Sequence, residues 1–275
     1  DQTAVGFEAL KLNVGNYNTA IGSYALSPAG GAGNCTAVGY NALRANTGGA
    51  SNVAVGMDCL LANTTASSNT AMGAFALDSN TTGAGNVAIG YHAGKNSVAN
   101  TTGDNNVFIG THSHGPDADA AYSIAIGYNV GGSNSTLTFG FSGTDTRCTA
   151  GGTTWSNPSD ERLKKDITTS TAGLGFINDL RPVTYKWKNE GDVPLNLNGY
   201  VEGSTTPFKN SFTEHGFIAQ EVKTAINAHS ELKNGFDMWS EDADGRQRVG
   251  DTALIPILVK AIQELSAKNE ALVAR

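Results

Sequence analysis

Residues 53–73 read VAVGMDCLLANTTASSNTAMG, a stretch that holds two short apolar segments, each closed by a glycine. Segments of this kind recur through residues 1–130, and the closing glycines are Gly6, Gly22, Gly39, Gly56, Gly73, Gly90, Gly110 and Gly127. Successive glycines are 16, 17, 17, 17, 17, 20 and 17 residues apart. Such a period is typical of an array in which each copy stacks on its neighbours.

Each copy predicts a strand, a short second segment and a turn. Before the glycine, β-branched or apolar residues alternate with small ones, which is the period of a strand with one buried face. Five copies place a leucine four residues after the glycine: Leu10, Leu26, Leu43, Leu60 and Leu77. Asn, Gly, Thr and Ser between the copies suit turns with positive φ. We therefore predict a mainly β repeat, a stacked β-roll or β-prism, over residues 1–150.

The Asn-Thr-Ala-Ile-Gly motif at residues 18–22 resembles the repeats of phage tail fibres and of trimeric surface adhesins, whose heads are parallel β-rolls. One copy buries too little surface to be stable alone, and threefold association commonly completes thin arrays, so we expect a homotrimer. Its exposed loops would contact a host-surface receptor such as a glycan. The repeats could equally be a spacer shaft that contacts nothing, and both interpretations stay open.

The charge distribution divides the chain in two. Only four of its 18 Lys and Arg residues precede residue 151, and the net charge is −7 without a basic cluster. This composition predicts neither a nucleic-acid partner nor insertion into a membrane, and no signal peptide opens the sequence. Because the chain begins with Asp1, we expect it to be a piece of a longer protein. Cys35, Cys59 and Cys148 have no metal-type spacing, so we expect buried free thiols.

One irregular copy suggests a metal. After Gly110 come His112 and His114, and two residues separated by one position on a strand face the same side. Three such pairs around a threefold axis would supply six imidazoles to a transition metal. The sequence resembles phage fibre tips that use a His-X-His motif in this way. A solvated loop beside Pro116 is the alternative that we favour, so we expect no cofactor beyond this candidate ion.

The sequence changes character at Ser159-Asp160-Glu161-Arg162-Leu163-Lys164, where charge appears and the repeat stops. This Ser-Asp-X-Arg-X-Lys pattern resembles the signature of the S74 peptidase family, the intramolecular chaperones of phage tailspikes and endosialidases. The resemblance continues through a predicted strand at residues 181–187 and through residues 215–222. It implies a linker over residues 151–158 and an α+β chaperone domain over residues 159–275.

In that family the module trimerises, aligns the chains of the preceding fibre and then cuts itself off before the motif serine. The resemblance thus implies a scissile bond between Pro158 and Ser159, Ser159 as nucleophile and Lys164 as base. A serine hydroxyl attacks a carbonyl only when a base removes its proton, and a lysine shielded from water can serve. Asp160 and Arg162 belong to the motif and could hold the loop by pairing and capping, and Glu221 or His215 could support the site. For these four residues a structural role is the interpretation that we favour.

The last 25 residues, 251–275, predict a trimerising helix or coiled coil. Ile255, Ile262 and Asn269 occupy a positions, and Leu258, Leu265 and Leu272 occupy d positions. Asp251 or Thr252 can cap this helix. About three heptads are marginal alone, so an amphipathic helix packed on its own domain is the alternative.

The leading interpretation is a virion tail fibre or other extracellular fibre that ends in a single-turnover serine autoprotease without an external substrate. A second is a fibre whose module assembles the trimer and remains as a non-cleaving cap. A third makes the repeats a glycan hydrolase, which needs paired carboxylates. The acids there are sparse and fall between strands, which makes this the weakest of the three: Asp58, Asp78, Asp104, Asp117 and Asp119.

Overall fold

The computed structural model describes residues 1–27, 30–95, 101–233 and 235–274, and it contains two compact units, Asp1–Lys164 and Lys165–Arg275. The first unit is a β-solenoid. Its strands are β1 (Gln2–Val5), β2 (Asn18–Ile21), β3 (Thr36–Val38), β4 (Val53–Val55), β5 (Thr70–Met72), β6 (Val87–Ile89), β7 (Val107–Ile109), β8 (Ile124–Tyr128), β9 (Thr136–Phe141) and β10 (Thr146–Thr149).

These strands form one sheet in sequence order, parallel from β1 to β9 and closed by the antiparallel β10. We call each repeat, with its strand and following turns, a coil. Neighbouring coils are in register, so that Ala37 pairs with Ala54 and Ala54 with Ala71. The predicted parallel β-repeat is therefore confirmed, with one regular strand in each coil and turns where a second segment was expected.

The solenoid core consists of stacked rows of identical residues. The central strand alanines from Ala20 to Ala88 and the leucines from Leu26 to Leu77 are fully buried. All three cysteines are free and buried, as predicted, and burial raises the pKa of the Cys59 thiol to about 12. Each closing glycine approaches the next coil closely: a Cβ on Gly56, whose φ is +140°, would lie 2.5 Å from the Gly73 carbonyl oxygen.

Positive φ values occur where the sequence pattern did not predict them. Turn residues such as Asn34 and Ser51 do adopt the left-handed region, but so do Leu43 (φ 53°) and Leu60 (φ 51°). This conformation costs a residue with a side chain about 1–2 kcal/mol. Burial of the leucine and a bond between coils, such as Leu43 N to Cys59 O at 3.0 Å, offset that cost.

Buried asparagines connect successive coils through side-chain hydrogen bonds. Asn63 is fully buried, and its Nδ2 donates to Asn46 Oδ1 (3.2 Å) and to Ala66 O (3.1 Å). Its own Oδ1 accepts from Asn80 Nδ2 at 3.0 Å. A second row, which includes Asn52 and Asn69, bonds to the backbone of the following coil.

Replacing Asn63 by alanine is expected to lower the free energy of unfolding by about 3 kcal/mol, because the three buried hydrogen bonds of its side chain are lost at about 1 kcal/mol each. The exposed Thr65, two residues away, is the control, and its replacement by alanine should change stability by less than about 0.5 kcal/mol. Urea unfolding of both variants measures the difference. Equal midpoints would show that the asparagine row does not stabilise the solenoid.

The irregular coil is accommodated by an exchange of volume inside the core. Phe108 occupies the central strand position that alanine holds elsewhere, and it is fully buried. In the preceding coil Gly94 replaces the leucine, and a Cβ there would lie 3.3 Å from the Phe108 ring. The volume that Phe108 adds to the core is therefore matched by the volume that Gly94 removes from it. The extra residues of the longest repeat include 96–100, which lie outside the described residues.

The second unit is a small α+β fold. It contains α1 (Leu174–Asp179), β11 (Val183–Tyr185), β12 (Glu214–Gly216), α2 (Ala219–Ala228), β13 (Trp239–Glu241), β14 (Gln247–Val249) and α3 (Leu254–Val273). The strands pair as two antiparallel ribbons, β11 with β12 and β13 with β14. The strand predicted at residues 181–187 is thus shorter than expected. Phe176, Val222 and Met238 are buried in the core between the helices.

Helix α3 packs on its own unit through one face. Leu254, Ile257 and Ala261 are buried, and Glu264 Oε2 accepts a hydrogen bond from Leu174 N at 3.0 Å. The predicted cap is wrong, because residues 251–253 form a 3₁₀ turn that leads into the helix and no side chain caps it. Together the α+β fold and the long terminal helix match the predicted fold class. The last residue of the predicted helix, residue 275, lies outside the described residues.

Candidate functional site

A 3₁₀ turn at Glu161–Leu163 brings Ser159 and Lys164 together. Leu163 N donates to Asp160 O at 3.1 Å and Lys164 N to Glu161 O at 3.0 Å, which reverses the chain. Lys164 Nζ then donates to Ser159 Oγ at 2.8 Å. A hydroxyl and an amine within hydrogen-bond reach are the arrangement that a nucleophile and its base require.

Asp160 and Arg162 hold this turn in place. The Asp160 carboxylate accepts from Arg162 N at 2.9 Å and also receives the guanidinium at two atoms, Nε at 3.0 Å and Nη2 at 2.5 Å. The pKa of the Asp160 carboxyl is lowered mainly by the hydrogen bonds from the Arg162 side chain and, to a smaller extent, by the hydrogen bond from the Arg162 backbone. The carboxylate therefore stays ionised. Asp160 is therefore the residue whose side chain caps the turn.

The side chains of the turn are exposed in the single chain. Every residue from 150 to 171 is exposed, Ser159 and Lys164 among them. A lysine accepts a proton only in its neutral form, which removal from water favours. Within one chain, the described residues provide no such shielding, so the pair is aligned without being enclosed.

Glu221 and His215 lie in the second unit. Glu221 lies in the first turn of α2 and forms a two-atom ion pair with Arg181, whose hydrogen bonds lower the pKa of the Glu221 carboxyl. His215 is the middle residue of β12, opposite Thr184, and its side chain is exposed. Sequence reasoning did not identify Arg181 as the partner of Glu221, which lies 40 residues away in the chain.

His112 and His114 do not share a strand face. His112 lies in a turn with φ 58°, where its ring stacks on His92 with centroids 5.3 Å apart. The half-buried His114 pairs with Gly131, and its Nδ1 lies 2.6 Å from Gly115 O. Among the described residues, no three His, Cys, Asp or Glu side chains form a group that could hold a metal. A metal would need histidines from several chains and remains a prediction.

The acids of the repeat are mostly engaged in local bonds. Asp58 accepts from Asn41 Nδ2 at 2.9 Å, and Asp78 pairs with Lys95. Asp117 differs, because desolvation and the neighbouring Asp119 raise the pKa of its carboxyl. Both are exposed residues of a turn.

Two apolar surfaces remain uncovered. The first is the predicted heptad seam of α3, where Ile255, Ile262 and Leu265 are 59%, 66% and 57% exposed. The second is the outer face of the solenoid sheet, where the residues flanking each buried alanine are Thr, Val, Ile or Met. Sequence reasoning missed this second surface. Its signal was the lack of charged residues at strand positions that alternate with the core.

The fold and the turn define a class: a β-solenoid followed by a serine–lysine turn and a small α+β unit with a long terminal helix. Residues 159–230 match the family Peptidase_S74, described as chaperone of endosialidase, and the match begins at Ser159. The chain therefore carries a chaperone domain of this peptidase family, which confirms the resemblance. No curated protein and no solved structure matched the chain. In the described part of the chain, no helix is long and apolar enough to cross a membrane.

Proposed function

We propose that this chain is part of an extracellular or virion fibre whose C-terminal module assembles three copies and then cleaves the bond between Pro158 and Ser159. A chaperone domain of the endosialidase type implies trimer assembly. The observation that carries the cleavage step is the 2.8 Å contact between Lys164 Nζ and Ser159 Oγ.

The proposed reaction uses the chain's own groups and one water. Neutral Lys164 removes the hydroxyl proton while Ser159 Oγ bonds to the Pro158 carbonyl carbon. The C–N bond breaks, Lys164 returns the proton to the departing Ser159 amine, and an ester joins the two residues. Water then hydrolyses the ester, which leaves a carboxyl on Pro158 and restores the hydroxyl. Each chain reacts once.

Assembly is the proposed switch for this reaction. Ser159 and Lys164 are exposed in the single chain, whereas a lysine base requires shielding from water. Neighbouring copies would supply that shielding, so cleavage would follow correct assembly. The same exposure favours the alternative function, a module that assembles the fibre and remains uncut as a cap.

The proposed number of three chains follows from the family match and not from the heptad pattern of α3. That pattern has Ile at a positions, Leu at d positions and Asn at one a position, which is typical of two-stranded coiled coils. The mass in solution therefore tests the proposal directly. Three uncut chains of 28.4 kDa, or three cut pairs that stay together, should weigh about 85 kDa by light scattering. A mass near 57 or 28 kDa would contradict the trimer.

The solenoid would present the fibre's binding surface. Its turns are exposed, and loops on a rigid scaffold are the usual site of recognition. A host-surface receptor such as a glycan is the proposed partner. A glycan array probed with the full-length protein tests this, and uniform lack of binding would favour a spacer shaft.

A further inference from the structure

A row of aromatic rings follows the turn after the closing glycines. In six of the eight coils, one of the two residues after that glycine is Phe or Tyr. Met57 and His112 hold the equivalent place in the two other coils. Because the coils stack in register, these side chains lie one above another along the solenoid. We call the six residues the ring row: Phe7, Tyr24, Tyr40, Phe75, Tyr91 and Tyr128.

The rings contact one another and yet stay open to water. The Phe7 and Tyr24 rings meet edge to face with centroids 5.4 Å apart. Phe7, Tyr40 and Tyr91 are nevertheless 64%, 48% and 47% exposed. Rings that served only to stabilise the coils would be buried between them, as the leucines of the core are. Aromatic side chains that leave about half of their surface in water, coil after coil, mark a surface for a binding partner.

We propose that the ring row binds a neutral, linear polysaccharide, which names the site and the ligand class of the receptor proposed above and rests on that proposal. A sugar ring has a face of C–H groups, which packs against an aromatic ring, and a rim of hydroxyls, which needs hydrogen bonds. An exposed tyrosine offers an apolar ring and a hydroxyl that both donates and accepts, so one side chain can serve both parts of a sugar.

The shape of the ring row fits a linear polymer. The row is one ring wide, and eight coils spaced by about 4.8 Å extend it over about 34 Å. A globular protein partner needs a broad patch of roughly 800 Å² with a buried centre, which a row of single rings does not provide. A chain of sugar units repeats along one direction, as the coils do, and can place sugars on several rings at once.

The charges beside the ring row cancel, which favours a neutral ligand. The ion pairs there join Glu8 with Lys11 and Asp78 with Lys95. Asp58 accepts from Asn41, and the same amide receives Arg44, whose guanidinium lies over the Tyr24 ring. The row therefore offers no excess of cations, while the whole chain has a net charge of −7. An anionic polysaccharide would be repelled by the chain without finding a cationic site.

A glycan array that carries neutral linear oligosaccharides of increasing length, probed with the full-length protein, tests the proposal. Binding should strengthen with length, because each added sugar reaches a further ring. Tyr40→Ala/Tyr91→Ala should weaken it by about tenfold or more. Tyr17→Ala/Tyr122→Ala is the matched control. It removes two exposed tyrosines of the same solenoid from the turn before the strands, outside the row, and should bind as the wild type does.

A variant with a gain of binding separates recognition from a folding defect. Met57→Tyr adds a ring at an exposed position of the row and should tighten binding by about threefold. Unchanged binding by this variant would contradict the proposal, and so would binding limited to anionic glycans.

The remaining outcomes distinguish the ring row from the proposed function. Glycan binding that the two double variants reduce equally, or that neither reduces, would overturn the ring row and leave a glycan receptor standing. A Tyr40→Ala/Tyr91→Ala protein that weighs less than the wild type by light scattering would show that the row joins chains, which also overturns it. Lack of binding to every glycan would overturn both the ring row and the glycan receptor, and assembly and cleavage would be unaffected.

Discussion

Replacing Ser159 by alanine should abolish cleavage between Pro158 and Ser159, because no other atom can form the ester. Lys164→Ala should slow cleavage about 100- to 10,000-fold, the usual contribution of a positioned base. Lys164→Arg should be as inactive, since guanidinium keeps its proton in proteins. Intact mass of freshly purified protein measures the result, with fragments of 158 and 117 residues expected from the wild type.

The neighbouring Lys165 provides a matched control for charge. Lys165→Ala removes the same charge one residue further on and should cleave at the wild-type rate. If it loses as much activity as Lys164→Ala, or if Lys164→Arg cleaves normally, Lys164 is not the base. A wild-type chain that stays whole as a trimer would identify the module as a cap that assembles the fibre without cutting it.

Introducing two aspartates into the α3 seam, as Ile262→Asp/Leu265→Asp, should convert the trimer to monomers. Burying a leucine or isoleucine contributes about 1.5–3 kcal/mol, so losing two costs about 3–6 kcal/mol per chain. That corresponds to an association weaker by about 150- to 20,000-fold, before the cost of desolvating the carboxylates. Light scattering at fixed protein concentration reports the change. Cleavage should be lost with the trimer.

The opposite side of the same helix supplies the control. Gln263→Asp/Ala267→Asp adds the same two charges at exposed positions away from the seam and from the buried Leu254–Ile257–Ala261 face. This variant should remain trimeric. If both double variants assemble equally well, the exposed seam is not what joins the chains.

The two predicted helix alternatives turn out to describe different faces of α3. An amphipathic helix packed on its own domain was expected to compete with a coiled-coil seam. Ile257 and Ala261 make the first contact, and the exposed Ile262 and Leu265 keep the second available. The sequence pattern could not separate these possibilities, because helix periodicity shows which residues are apolar and not which apolar side meets which neighbour.

The alanine and leucine rows, the strand positions and the closing glycines were all readable in the sequence. They repeat every 16 to 20 residues, and a stacked array places equivalent residues on one another. The Ser-Asp-X-Arg-X-Lys motif was equally visible, because its residues are adjacent. These features depend on local pattern and on repetition, which a single sequence records.

The tertiary structure alone decided the features that depend on packing in three dimensions. Leu43 and Leu60 adopt positive φ because the coil above and the core hold them there, against their local preference. Phe108 fits where alanine is expected because a glycine in the preceding coil removes a leucine. The 2.8 Å contact between Ser159 and Lys164 exists because Asp160 and Arg162 close a turn that spacing alone does not specify. Each of these outcomes is set by contacts between residues, and such contacts are settled only when the chain has folded.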